Sequence, residues 1–487
     1  MNDSADATRT RPRPGCGELR RTGFATLIGI LAVCASAHAE VLVRWGLDEI
    51  PPSTTLGLSS IVVAAGNPAA IRNAVAQGYR VYVEVKGPAT ATFRPPAASL
   101  AGVVVRGEAA AAHLTELERR LRNSGVRILL LDERGKWPHI RTNWVTRNNE
   151  VLQVTSRSAQ PWIENNAALF RILRSAGARR ERLLSYEWTP VTIAAADEAP
   201  RLEHYLVAIA EAGSFGGGLL LPLHESFQRD LLLGKPQARS DWAQIRGHLD
   251  FYAWDLPARY RSLTNIALVT GQPFRHFDVL NLLLRHNLAF DLLTPAELGP
   301  EALRAMDLLI VLDGPTGAPA DLLMEFARTG GTVVIGPPES GDPGAGTPWR
   351  SDTPATTSED RMMYEAGTGR IVEMRHPVTN PDRFALEMRQ LLGRERRVLD
   401  IWNGITVLAD PYEDAAGESL LITTLNYAHQ PLSVQIRVRG TFSLVHHESP
   451  EQPLSLLSHT HRDGYTEFVL PALTVGARVF LTGPRLP

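Results

Sequence analysis

The sequence predicts an α/β protein: a TIM-like (β/α)8 barrel, then a doubly wound α/β domain and a small C-terminal β-sandwich. Three observations carry that expectation. From Glu40 onward, short β-rich runs alternate with amphipathic helical patterns, the mark of a parallel sheet wrapped by helices. A second α/β rhythm begins at Thr264 (TNIALVT), and from Val398 the pattern turns all-β. The 487 residues, 44% hydrophobic and 21% charged, are globular in composition and too many for one core.

Eight runs read as barrel strands: Val41–Leu47, Ser60–Ala64, Arg80–Val85, Gly102–Arg106, Val126–Leu131, Val151–Thr155, Leu183–Trp188 and Gly218–Leu223. Between them, Pro68–Gln77, Glu108–Asn123, Trp162–Ala176 and Arg201–Ala212 read as helices, and Arg239–Trp254 closes the ring. Gly78, Gly102, Gly125 and Gly213 precede strands where an amphipathic pattern stops, as helix-terminating glycines do. The first link, Asp48–Leu58 with Pro51-Pro52, shows no helical pattern.

The barrel is expected over residues 40–260, the doubly wound domain over 261–397 and the sandwich over 398–487. In the second, strands Thr264–Thr270, Phe290–Leu292, Leu308–Leu312 and Gly331–Ile335 alternate with helices His276–Asn287, Pro300–Met306 and Ala318–Thr329. Pro337–Asp360 reads as an exposed loop. Ser419–Asn426, Leu432–Val438, Phe442–Val445, Tyr465–Leu470 and Ala477–Leu481 are the sandwich strands.

Residues 1–39 read as a signal peptide: Arg20-Arg21, an apolar run Phe24–Val33 and an Ala37-His38-Ala39 cleavage pattern. The expected location is the periplasm or beyond, with no membrane span left after cleavage, since the run is too short to cross a bilayer. Its removal takes five arginines and three acids and moves the formal charge from −2 to −4, so no basic footprint for nucleic acid remains. Cys16 and Cys34 leave with it, so the rest has no disulfide and no thiolate nucleophile. His139, His204 and His224 lack metal-ligand spacing, and neither metal nor cofactor is expected. Asp410, Glu413 and Asp414 offer oxygen ligands for calcium, or simply form a solvated turn.

Barrel enzymes place their chemistry at the C-terminal ends of the strands. Glu187 ends Leu183–Trp188, between Tyr186 and Trp188, whose rings suit the face of a sugar. Its alternative role is a buried acid paired with arginine. Asp132 and Glu133 end the fifth run, and His224 and Glu225 the eighth; substrate binding competes there with pairing to Arg134 and Arg229. Trp137, Trp144 and Trp162 crowd together with Asn143, Asn148, Asn149, Asn165 and Asn166, a supply of stacking faces and amides for an oligosaccharide or of cover for the rim.

Barrel, doubly wound domain and sandwich in this order, with LLSYEWTP at 183–190 and the segment Thr264–Pro338, resemble the β-galactosidases of glycoside hydrolase clan A that carry a glutamine-amidotransferase-like trimerisation domain. The resemblance implies a nucleophilic carboxylate after the seventh strand, Glu187, and an acid/base carboxylate after the fourth, Glu108. That family writes Asn-Glu at the fourth strand, where this chain has Gly107-Glu108. Retaining glycosidases need two such carboxyl groups about 5–5.5 Å apart. At Glu108 the competing role is an acid in the first turn of a helix. The resemblance also implies a homo-oligomer and a structural second domain without glutaminase activity. The alternative function is a non-catalytic barrel that binds a glycan or scaffolds an envelope assembly.

Overall fold

The computed structural model describes residues 41–94, 100–107, 109, 111–141, 144–148, 151–155, 162–175, 181–187, 200–254, 256–315, 318–337, 348–351, 354–428 and 430–483. The barrel is closed by seven strands, not eight, in the ring order β1-β11-β10-β5-β4-β3-β2. The first five are β1 (Val41–Arg44), β2 (Ser60–Ala64), β3 (Arg80–Lys86), β4 (Gly102–Arg106) and β5 (Arg127–Lys136). Four short strands follow, β6 (His139–Arg141), β7 (Trp144–Asn148), β8 (Val151–Thr155) and β9 (Trp162–Glu164), before β10 (Arg182–Glu187) and β11 (Gly218–Pro222).

The expected sixth barrel strand, Val151–Thr155, instead pairs antiparallel with β7, and β10 pairs directly with β5. The reason is legible in its composition. VLQVT carries polar residues at Gln153 and Thr155, whereas strands buried on both faces run apolar, as in IVV, VVV and LLL. Trp144–Asn148 and Val151–Thr155 are two residues apart, the shortest hairpin connection.

Leu42, Val62, Tyr82, Val104, Leu129, Leu131, Leu183 and Leu220 fill the barrel. A Cβ at Gly102 would lie 2.4 Å from the Tyr82 ring, so glycine is what admits tyrosine to this interior. Outside pack α2 (Pro68–Ala76), α3 (Ala111–Leu121), α4 (Ala167–Ser175), α5 (Leu202–Ser214), α6 (Glu225–Leu232) and α7 (Pro236–Tyr252), preceded by α1, a single turn (Ser53–Leu56) in the link expected to have no helix. Asn67 caps α2 by accepting from the Ala70 N–H at 3.1 Å, with Pro68 next to it.

After α8 (Leu256–Arg259), β12 (Tyr260–Ser262) crosses to the sandwich and pairs with its strand 407–414. The middle sheet contains β13 (Ile266–Val269), β14 (Asp291–Leu293), β15 (Leu308–Val311), β16 (Thr332–Ile335), β17 (Thr356–Thr357), β18 (Arg361–Ala366) and β19 (Gly369–Met374). Its order is β14-β13-β15-β16-β19-β18-β17. The first five are parallel, the 2-1-3-4-5 doubly wound order. Helices α9 (Phe277–Arg285), α10 (Pro300–Leu303), α11 (Ala320–Arg328) and α12 (Pro381–Leu392) complete it. The hairpin β18–β19 and α12 extend the sheet beyond the sequence expectation; Gly367 turns the hairpin at φ 61°.

The sandwich stacks β12-β21-β22-β28-β24-β25 on β20-β23-β27-β26. Its further strands are β20 (Leu399–Trp402), β21 (Val407–Asp414), β22 (Ser419–Asn426), β23 (Leu432–Arg439), β24 (Leu444–Ser449), β25 (Gln452–Leu456), β26 (His459–Arg462), β27 (Tyr465–Leu473) and β28 (Gly476–Thr482). β21 overturns the solvated-turn reading for Asp410, which lies inside the strand, whereas Asp414 ends it and opens the 415–418 turn. Asp410 is 1% exposed and receives the Arg171 Nη2 of α4 at 2.5 and 2.6 Å. Glu413 pairs with Arg261, and Asp414 accepts from Ser419 and the Glu418 N–H.

Candidate functional site

At the C-terminal mouth of the barrel, the next inward positions after Leu42, Tyr82, Val104 and Leu131 are Arg44, Glu84, Arg106 and Glu133. They form a closed ring of alternating charge. Arg44 Nε reaches Glu84 at 2.7 Å and its Nη2 lies 3.7 Å from Glu133. Arg106 Nε reaches Glu133 at 2.6 Å and its Nη1 lies 3.5 Å from Glu84. On β2 the matching position is Ala64, so Arg44 and Glu84 can meet across it. The ring lies on an apolar floor and faces solvent, with Arg106 44% exposed and Glu84 11%. It presents guanidinium donors and carboxylate acceptors side by side, the pairing that vicinal hydroxyl groups take.

Below the rim lies a carboxylate of the opposite kind. Glu211 of α5 is fully buried. Its Oε1 accepts from the Asn166 N–H (2.7 Å) and the Tyr427 hydroxyl (2.8 Å). Its Oε2 accepts from Asn166 Nδ2 (2.7 Å) and the Tyr186 hydroxyl (3.0 Å). Asn166 also holds the backbone of Lys136, accepting from its N–H at 2.8 Å and donating to its carbonyl at 2.6 Å. One side chain thus ties the ends of β5 and β10 to the sandwich residue Tyr427. Burial pushes the Glu211 carboxyl up to about 7, against the pull of these four donors. The Tyr186 and Tyr427 hydroxyls are raised by burial and then by the Glu211 charge.

The expected site residues fall into three groups. Tyr186 and Trp137 are 3% and 0% exposed and stack on each other at 5.1 Å, with Tyr205 edge-on to Trp137 at 5.5 Å. Both are packing residues with no face left for a sugar, each covered by the other's ring and its surroundings. Asp132, His224 and Glu225 have local partners. Burial opposes it, but the hydrogen bonds and charge of Arg134 hold Asp132 below the usual carboxylate range. His224 caps α6 through Ser226, and Glu225 pairs with Arg229. The third group is Glu108, Asn143 and Trp188, which lie outside the described residues, as does the Glu187 side chain. The backbone of Glu187 closes β10 opposite Lys136, two positions beyond Ser185.

The mouth ring and Glu211 were not among the expected site residues. The ring was signalled by charged residues placed two positions beyond the inward hydrophobes of VLVR, RVYVEVK, GVVVR and LLLDE. Glu211 was signalled by a lone acid in the apolar helix YLVAIAEAGS. Among the described residues, no group of three His, Cys, Asp or Glu side chains is placed to hold a metal ion.

No family model matches the sequence, and no curated protein matches it. Similarity appears among solved structures. The α-L-fucosidase isoenzyme 2 from Paenibacillus thiaminolyticus is 11% identical, with a TM-score of 0.56 covering 92% of this chain and 100% of the other. A β-galactosidase from Bacillus circulans sp. alkalophilus (11% identity, TM-score 0.45) covers 76% of this chain and 65% of its own. The exo-β-1,4-mannosidase Op5Man5 from Opitutaceae bacterium strain TAV5 (12%, TM-score 0.43) covers 74% and 97%. At 11% identity the likeness to the fucosidase is one of fold alone.

Proposed function

We propose that the chain is an exported carbohydrate-active protein whose barrel mouth takes an oligosaccharide, and that it is a retaining glycoside hydrolase with Glu187 as nucleophile and Glu108 as acid/base. The observation that carries the proposal is the end-to-end fold likeness to a fucosidase, over 92% of this chain and 100% of that one. The mouth geometry supports it. β4 and β10 are separated in the ring by β5 alone, so their backbones stand about 10 Å apart. A retaining pair needs its two carboxyl groups about 5–5.5 Å apart, a separation that side chains at the ends of two such strands can reach. Glu187 would then attack the anomeric carbon while Glu108 protonates the leaving oxygen and afterwards takes a proton from water. The Arg44–Glu84–Arg106–Glu133 ring would hold sugar hydroxyls beside them.

A panel of aryl glycosides, α-L-fucoside and β-D-galactoside first, tests this. Turnover in the native protein that falls at least 1,000-fold in Glu187→Gln supports the assignment, a loss of ~4 kcal/mol in transition-state stabilisation. Turnover unchanged in that variant would remove Glu187 from the mechanism.

The mouth ring itself favours a second reading, glycan binding without turnover, because Glu84 and Glu133 already give their oxygens to guanidinium groups. Saturable oligosaccharide binding with no hydrolysis of any panel member would select it. In both readings the middle domain is an amidotransferase-like module with a structural role, since both cysteines precede residue 40. A homo-oligomer in light scattering and a mature N-terminus at Glu40 are the matching expectations for assembly and export.

A further inference from the structure

The middle domain contains a cavity of about 360 Å³ that the barrel chemistry leaves unused. Its size is within the about 300–1,000 Å³ in which proteins hold small ligands. It opens where the parallel strands β13, β15, β16 and β19 end. β13 lies between β14 and β15 in the sheet, so the chain reverses its winding there. Open α/β sheets bind ligands at such switch points, outside the carboxyl ends of the strands.

The floor is aliphatic and aromatic, with Ile310, Val334 and Phe384 each at most 3% exposed. The rim is polar and of mixed sign: Arg275, His276 and Asp313, with Asp278 beside them. Asp313 is a built feature, not a stray charge. It accepts from the Thr270 hydroxyl (3.0 Å), the Gly271 N–H (2.5 Å) and His276 Nε2 (2.9 Å). That fixes the His276 ring at the rim, where it is 19% exposed.

The balance of groups selects the ligand. Two carboxylates against one arginine give no net positive field, which disfavours phosphates and other anions. A rim of donors and acceptors above an apolar floor suits a small neutral molecule with hydroxyls along one edge and hydrocarbon along the other. We infer that the middle domain carries its own binding site for a neutral mono- or disaccharide with an apolar edge, such as a 6-deoxyhexose, held by Arg275 and by the His276 ring that Asp313 fixes, with its methyl side on the Ile310–Val334–Phe384 floor. This site does not depend on turnover at the barrel.

The test is calorimetric titration and saturation-transfer NMR of the full chain with L-fucose, L-galactose and inorganic phosphate. L-Fucose is expected to bind saturably, several-fold tighter than L-galactose, whose extra hydroxyl would face the apolar floor. Phosphate should neither bind nor compete. Arg275→Ala and His276→Ala should each weaken this binding at least 10-fold while leaving turnover of the best aryl glycoside unchanged. Because Arg275→Ala changes a rim residue, a fold defect would show as altered melting, and His276→Gln then serves as the second variant. Fucose binding untouched by both rim variants, competitive phosphate binding, or no saturable sugar binding up to tens of millimolar would each overturn the inference. Absent hydrolysis in the native protein would sink the barrel assignment and leave this one standing.

Discussion

The mouth of the barrel and its seam with the sandwich use acidic residues in opposite ways. At the mouth, Glu84 and Glu133 are 11% and 30% exposed and alternate with Arg44 and Arg106, each carboxylate within reach of both guanidinium groups. At the seam, Asp410 is sealed against Arg171, and among the described residues Glu211 has no cation as a hydrogen-bond partner and is held by Asn166, Tyr186 and Tyr427. The difference is one of solvent. An exposed ion pair contributes little to stability and remains free to exchange partners, whereas a buried carboxylate must have every oxygen satisfied or the fold pays for it. The mouth therefore keeps its charges in reach of solvent, and the seam fixes the rim beneath it.

The largest expected effect is at the seam. Asp410→Ala leaves Arg171 buried without its counter-charge and should destabilise the chain by about 3–5 kcal/mol, read as a lower urea midpoint. A loss below about 1 kcal/mol would mean that the seam is not closed in solution.

Glu211 gives a pH signature. Its folded-state carboxyl titrates at about 7, above its ordinary value of 4.5. A raised carboxyl favours folding while protonated, so its contribution is complete below about 4.5 and lost as pH rises through about 7. The full swing is about 3 kcal/mol. Melting followed from pH 4.5 to 8 should show this fall in the native protein and a flatter profile in Glu211→Gln. Parallel profiles would show that Glu211 does not titrate as the geometry requires.

Tyr427→Phe removes one of the four donors to Glu211 and should cost about 1 kcal/mol, without touching turnover. At the mouth, Glu133→Gln, at the more exposed of the two glutamates, should change stability by about 1 kcal/mol or less but weaken oligosaccharide binding about 10-fold. The reverse pattern would move the ligand away from the ring. Glu225→Gln is the smallest, within about 0.5 kcal/mol, because Glu225 only pairs with Arg229 on an exposed helix face.

The architecture was legible because burial on both faces writes a strand as a continuous apolar run. IVV, VVV, LLL and the strands of the doubly wound sheet stand out for that reason. The expected sixth strand was misread because VLQVT has the length and β-branching of a barrel strand yet pairs antiparallel with the segment just before it. The site was less legible because it depends on which residues share a parity around the ring. Arg44 and Glu84 are 40 residues apart in sequence and 2.7 Å apart in space. Tyr186 and Trp137 read as rim aromatics because they neighbour Glu187 and a loop, yet both are buried, stacked on each other with Tyr205 edge-on to Trp137.

The most direct test of the mouth as the working site is a crystal structure of the Glu187→Gln protein with an oligosaccharide bound. The account predicts sugar above the Arg44–Glu84–Arg106–Glu133 ring, with the residue 187 amide carbon and the Glu108 carboxyl carbon about 5–5.5 Å apart across its anomeric carbon. A sugar bound only elsewhere, or the two groups more than about 10 Å apart with the ring untouched, would contradict it.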